Sequence, residues 1–259
     1  MTEKIFTAKV PAKLNLSLAI TGKRGNMHTL DMIVCPFDKY EDSVSFIPSD
    51  SGECGITDIR IDCDLPLFDE KKFLAGNASK FDEIAKRANV CGRLEIVKKI
   101  PIGAGMGGSS ASVAAAVKAI EKYCCSVSKN IALDTRFLLS LGSDVPYMRK
   151  GGVCRVKGVG EEVETLECDA FPNFESVVVS GGADSGECYG IFDKLGKDYS
   201  DLPIPKSVSD ALEINRNDLF EAACIVNLSI ADEVNRLKSQ GIDKVFMTGS
   251  GSGLFFVKK

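Results

Sequence analysis

Apolar and polar side chains alternate along "IFTAKVPAKLNLSLAI" (5–20), "TLDMIVCPF" (29–37), "DSVSFIP" (42–48) and "DIRIDCDL" (58–65). A period of two predicts four half-buried strands. The period lengthens to that of a helix over "NASKFDEIAKRA" (77–88) and returns to two in "GRLEIVKKI" (92–100). After a glycine-rich loop, "SSASVAAAVKAIEKY" (109–123) has helix-forming composition, with Ser109 or Ser110 placed to cap it, and "TRFLLSL" (135–141) predicts more helix. A hairpin is expected over 151–167, a buried strand in "SVVVSGG" (176–182), and helices through 217–241. Two strands around a glycine turn are expected in "KVFMTGSGSGLFFVKK" (244–259). Strands and helices cluster rather than alternate strictly, which predicts an α+β fold. The stretch "KDYSDLPIPKSVSD" (197–210) has linker-like turn chemistry.

The loop "PIGAGMGG" (101–108) is the most informative irregular segment. Glycine loses more backbone entropy on folding than any other residue, so such a run implies a close approach to the backbone. The order strand, glycine loop, helix presents the unpaired N–H groups of a first helical turn, and a phosphate is the natural guest there. A Walker A loop is excluded, because Gly108 is followed by Ser109 where that motif needs a lysine. Gly103, Gly105 and Gly108 do spell G-x-G-x-x-G, yet no second strand ending in an acid follows, as a dinucleotide site requires. Neither a V-A-I-K strand nor an H-R-D loop is present to mark a protein kinase.

Composition narrows the classes further. The chain has 259 residues and a net charge of −4, enough for one large or two small domains. No basic run interleaved with aromatics occurs, which argues against a nucleic-acid partner. No leader-like apolar segment and no long apolar run are found, so a cytoplasmic protein with no membrane partner is expected. Ten cysteines without any C-x-x-C are expected to be reduced thiols in the core. A single histidine, His28, excludes sites built on several histidines, so any catalytic metal is expected to be a hard cation arriving with a nucleotide.

Four segments, "PAKLNLSLAITGKR", "PIGAGMGGSSAS", "LGSDVPYM" and "TGSGSGLFF", follow one another in the order and spacing of the GHMP small-molecule kinases, which the chain resembles along its whole length. "PAKLNL", "MHTLDMIV", "LGSDVPYM" and "NDLFEAAC" are similar to the branch that phosphorylates 4-diphosphocytidyl-2-C-methyl-D-erythritol in non-mevalonate isoprenoid biosynthesis. The resemblance implies a two-lobed fold: a lobe like domain 2 of ribosomal protein S5 over 1–150 and a ferredoxin-like lobe over 151–259. It also implies ATP and Mg2+ as cofactors, a CDP-linked sugar alcohol as partner, and a monomer or homodimer.

By the same resemblance, Asp144 of "GSDVP" is the base and Lys13 of "PAK" the cation beside it. Pro101, Gly103, Ala104, Gly105, Met106, Gly107, Gly108, Ser109 and Ser110 bind nucleotide, with Ser110 the candidate magnesium ligand. Asn15, Met27 and His28 fall at substrate positions. Two departures stand out. Met27 replaces the aromatic that stacks on cytosine in the family, and the loop "GMGGSSASVA" leans toward that of mevalonate-type kinases. A GHMP kinase for mevalonate, homoserine or shikimate, or a non-catalytic nucleotide-binding relative, are the alternatives.

Overall fold

The computed structural model describes residues 3–50, 53–168, 171–198 and 201–258. The chain divides into two compact units. The first comprises Met1–Ala12, Asp38–Ile102 and Gly107–Lys150; the second comprises Lys13–Phe37, Gly103–Met106 and Gly151–Lys259. Two long strands, β1 (Phe6–Arg24) and β2 (Met27–Pro48), pair with each other and contribute residues to both units.

In the first unit, β3 (Gly55–Cys63) leads through α1 (Glu70–Ala88) to β4 (Cys91–Lys98), and the two strands pair in parallel with Ile59 opposite Leu94. A parallel pair needs such a crossover, and the helix supplies it. β4 then pairs antiparallel with the second half of β2, Phe46 opposite Leu94. Helix α1 begins at Asp69, whose carboxylate accepts from the Lys72 N–H, and stops at Asn89 in the left-handed region. It packs on β3 and on α2 (Gly108–Ser126), which in turn packs on α4 (Val145–Lys150) beyond the short α3 (Thr135–Leu141). Alanines 111, 114, 115, 116 and 119 are buried, so α2 lies in the core rather than across its surface. Phe46, Phe81, Ile84, Leu94, Ile96 and Ile100 close that core.

In the second unit, Leu30–Val34 of β2 pair antiparallel with β5 (Cys154–Gly158), which forms a hairpin with β6 (Glu162–Thr165). A three-stranded antiparallel sheet orders β7 (Phe174–Val178), β9 (Gly253–Val257) and β8 (Phe246–Met247). Around it lie α5 (Ser185–Leu195), α6 (Val208–Ile214), α7 (Phe220–Val226) and α8 (Ser229–Ser239). The buried Arg216 holds Asp218 with two hydrogen bonds of 2.8 Å, and Asp218 also accepts from the Ile20 N–H at 2.8 Å. Paired and hydrogen-bonded in this way, two buried charges tie the segment before α7 to β1.

The α+β class expected from the sequence is the one observed, and four local expectations change. The two strands expected at 29–37 and 42–48 are one, β2. Helix α1 starts at Glu70 rather than Asn77, because Asp69 provides the cap. Helix α5 arises where no helix was expected, capped by Asp184, which accepts from the Glu187 N–H at 3.0 Å. The linker-like stretch ends in the first turn of α6, opened by a reciprocal Ser207–Asp210 capping box; its residues 199–200 lie outside the described ones. Among the described residues no helix is long and apolar enough to cross a membrane.

Candidate active site

The first unit presents the beginning of α2. Its N-cap is Gly107, in the left-handed region at φ 77°, and no side chain caps it. The expected serine cap is therefore corrected: Ser109 lies inside the helix and donates its hydroxyl to Asn77 Oδ1 at 2.8 Å, one helix away. The N–H groups of the first turn keep the positive end of the helix dipole without a side-chain acceptor. Ser110 is half-buried and faces the α3–α4 corner, where a Cβ on Gly142 would lie 3.5 Å from its Oγ. That corner holds Asp144, half-buried, whose carbonyl accepts the first hydrogen bond of α4 from Met148 N–H at 2.9 Å.

The second unit holds the other part of the loop, and it does so by the oxygens. Each of the four carbonyls from Gly103 to Met106 accepts a bond. Ser252 N–H donates to Gly103 O at 3.1 Å, Gly253 N–H to Ala104 O at 3.0 Å, the Thr248 hydroxyl to Gly105 O at 3.3 Å, and Lys13 N–H to Met106 O at 3.0 Å. Gly103 and Gly105 have φ of 67° and 69°, and a Cβ on Gly105 would lie 2.2 Å from Thr248 O. Gly105 is thus required by packing against the 248–253 segment, a reason the sequence alone did not disclose.

Lys13 and Asn15 stand on one face of β1, as expected, and both are buried. The Lys13 ammonium donates to Asn15 Oδ1 at 2.6 Å, and Asn15 N–H donates to the Thr248 hydroxyl at 3.1 Å. Thr248, fully buried, therefore joins the lysine strand to the loop. It had no place among the candidate residues, and its signal was the C-terminal "TGSGSG" run.

His28 is the second residue of β2 and belongs to the same unit. Its ring stacks on Tyr189 with centroids 4.7 Å apart at 21°, and meets Phe192 edge-on at 5.9 Å. Nε2 lies 2.8 Å from Asp193 Oδ1, and Lys23 Nζ lies 2.7 Å from Oδ2. The Lys23 hydrogen bond, and then that of His28, hold the Asp193 carboxyl below the ordinary carboxylate range. Met27 next door is half exposed. Tyr189, Phe192 and Asp193 all come from α5, the helix that the sequence pattern did not reveal.

Among the described residues there is no cluster of three or more His, Cys, Asp or Glu side chains fit to hold a metal. Each of the ten cysteines is a thiol rather than half of a disulfide. A cavity of about 500 Å3 in the second unit, walled by Ile214, Arg216 and Lys238, is lined by Asn217, Asp218 and Phe220 of "NDLFEAAC" but by none of the candidate site residues.

The N-terminal domain model of the GHMP kinases matches residues 74–152, spanning the loop, α2 and Asp144. A 4-diphosphocytidyl-2-C-methyl-D-erythritol kinase from Chlorobium phaeovibrioides is 34% identical over 260 aligned residues, 96% of this chain and 86% of that protein. One from Desulfitobacterium hafniense is 30% identical, covering 94% and 84%. Among solved structures, a 4-(cytidine 5'-diphospho)-2C-methyl-D-erythritol kinase superposes with a TM-score of 0.70 at 23% identity, over 98% of this chain and 90% of that one. The mevalonate kinase of Staphylococcus aureus gives 0.56 at 19% identity, over 100% and 91%. With such relatives matched along nearly its whole length, the chain belongs to the GHMP kinases, in the family of the 4-diphosphocytidyl-2-C-methyl-D-erythritol kinases.

Proposed function

We propose that the chain transfers the γ-phosphoryl group of ATP to a hydroxyl of 4-diphosphocytidyl-2-C-methyl-D-erythritol, in the cytoplasm, as a step of non-mevalonate isoprenoid precursor biosynthesis. The observation that carries phosphoryl transfer is the glycine loop: its carbonyls from Gly103 to Met106 are all engaged by the protein, while α2 starts at Gly107 with no side-chain cap. The N–H groups left at that helix start, within the first unit, offer a cradle for phosphate. Relatives named for the CDP-linked acceptor, matched over nearly the full chain, support that acceptor.

Phosphoryl transfer asks the protein for position and charge balance rather than covalent help. In this reading Asp144 accepts the proton of the attacking hydroxyl, and the Lys13 ammonium balances charge developing on the phosphoryl oxygens. Asn15, by holding Lys13 Nζ at 2.6 Å, aims it. Ser110, half-buried at the corner that holds Asp144, would be the candidate ligand for magnesium, which when bound would neutralise phosphate charge. His28 and Tyr189 would hold the cytosine end. We take the small molecules to be the partners, with no nucleic acid or membrane surface involved, and the chain to act as a monomer or homodimer.

The test offers ATP with the CDP-linked methylerythritol, mevalonate, homoserine and shikimate separately to one preparation. Turnover with the CDP-linked compound is expected. Turnover with another alcohol alone would keep the kinase and discard the acceptor.

A further inference from the structure

Asp42, at the second half of β2, is completely buried, and four donors converge on its carboxylate. Lys99 N–H and Ile100 N–H reach Oδ1 at 2.8 and 3.0 Å, while the Ser112 hydroxyl at 2.9 Å and the Lys98 ammonium reach Oδ2. Lys98, 1% exposed, spends its other protons on Gly108 O and Ser112 Oγ, both at 2.9 Å, and lies 5.2 Å from the centre of the Phe73 ring. All these residues belong to the first unit.

Lys99 and Ile100 are the residues that enter the glycine loop, whereas Gly108 and Ser112 form the helix turn that leaves it. One carboxylate therefore ties both ends of the loop together. An ordinary core position would be filled more cheaply by an apolar side chain, because taking a lysine and an aspartate out of water costs more than their attraction commonly returns. What the ion pair adds is a fixed geometry for backbone at both ends of a segment whose glycines otherwise leave it loose.

We infer that Asp42, with Lys98 and Ser112, is a positioning unit for nucleotide: it presets the first turn of α2 and the loop entry so that the N–H groups meet phosphate without reordering. This rests on the kinase reading above. None of the three side chains is assigned contact with substrate; they act through the backbone of Lys99, Ile100 and Gly108.

The experiment compares the intact chain with Ser112→Ala and Asp42→Asn. It reads the dissociation constant for a non-hydrolysable ATP analogue by calorimetry, KM for ATP, KM for the CDP-linked substrate, kcat and Tm. Ser112→Ala, which removes one hydroxyl, is expected to weaken the analogue and raise KM for ATP by about three- to tenfold, with KM for the CDP-linked substrate within about twofold of the intact chain. Asp42→Asn is expected to do the same more strongly; should it not fold, Ser112→Ala decides alone. A folded Ser112→Ala protein with lowered Tm and unchanged analogue affinity overturns the inference and reduces the network to a stability device. An intact chain that binds no ATP analogue overturns the kinase reading, and this inference with it.

Discussion

The imidazole of His28 and the phenol of Tyr189 lie face to face, 4.7 Å between centroids, although 161 positions separate them in the chain (189 − 28). Stacking of this kind, with Asp193 fixing Nε2, orients the ring and leaves its other edge to act. If the pair forms the floor of the base pocket, Tyr189→Ala should weaken the CDP-linked substrate by about 1 to 3 kcal/mol while Tyr189→Phe retains it. Calorimetry with that substrate and with an ATP analogue checks this; equal affinity in the alanine variant would remove Tyr189 from the pocket.

Asp144→Asn keeps the size of the side chain and removes its basicity. Turnover should fall by at least about a hundredfold with nucleotide affinity nearly intact. Single-turnover kinetics isolates the chemical step, and a wild-type rate there would show that another group takes the proton.

Gly105 is committed twice, by its φ of 69° and by the 2.2 Å between a Cβ and Thr248 O. Gly105→Ala must push apart two backbone segments, so a loss of about 1 to 3 kcal/mol in folding stability is expected. Denaturant titration measures it; a midpoint equal to the wild type would mean that the loop is not clamped as described.

Burial pushes the Cys188 thiol up to about 11, whereas Cys54 and Cys125 are exposed. Native-state alkylation near pH 8 should label Cys54 and Cys125 first and leave Cys188 untouched. A thiol with a raised folded-state pKa contributes stability that is complete below its unfolded value, near 9, and is lost as pH rises through about 11. Stability measured across that window should therefore fall with pH, and Cys188→Ala should flatten the fall. Early labelling of Cys188 would contradict its burial.

Much of the fold was legible because its strands are half-buried and its helices long: β4 and α2 follow directly from a period of two giving way to alanine-rich helix. Motif order placed Lys13, Asn15, the loop and Asp144, and Lys13 and Asn15 do meet. Helix α5 escaped because its eleven residues carry two glycines and bury only Cys188, so neither propensity nor a wide apolar stripe marked it. With α5 went Tyr189 and Phe192, the aromatic faces that Met27 does not supply. Asp42 and Thr248 escaped for another reason. Asp42 is an unremarkable residue in sequence and Thr248 is marked only by the glycine run it opens; the importance of each lies in distant backbone that only folding delivers to it.

The grip of Thr248, Ser252 and Gly253 on the carbonyls from Gly103 to Gly105 sets a timetable for synthesis. A ribosome completes the glycine loop long before it makes the residues that hold it. Until "TGSGSG" clears the exit tunnel, the nascent chain lacks the donors that the Gly103, Ala104 and Gly105 carbonyls bond in the folded protein. A growing polypeptide halted at α8 has the glycine loop without the residues that hold the Gly103, Ala104 and Gly105 carbonyls.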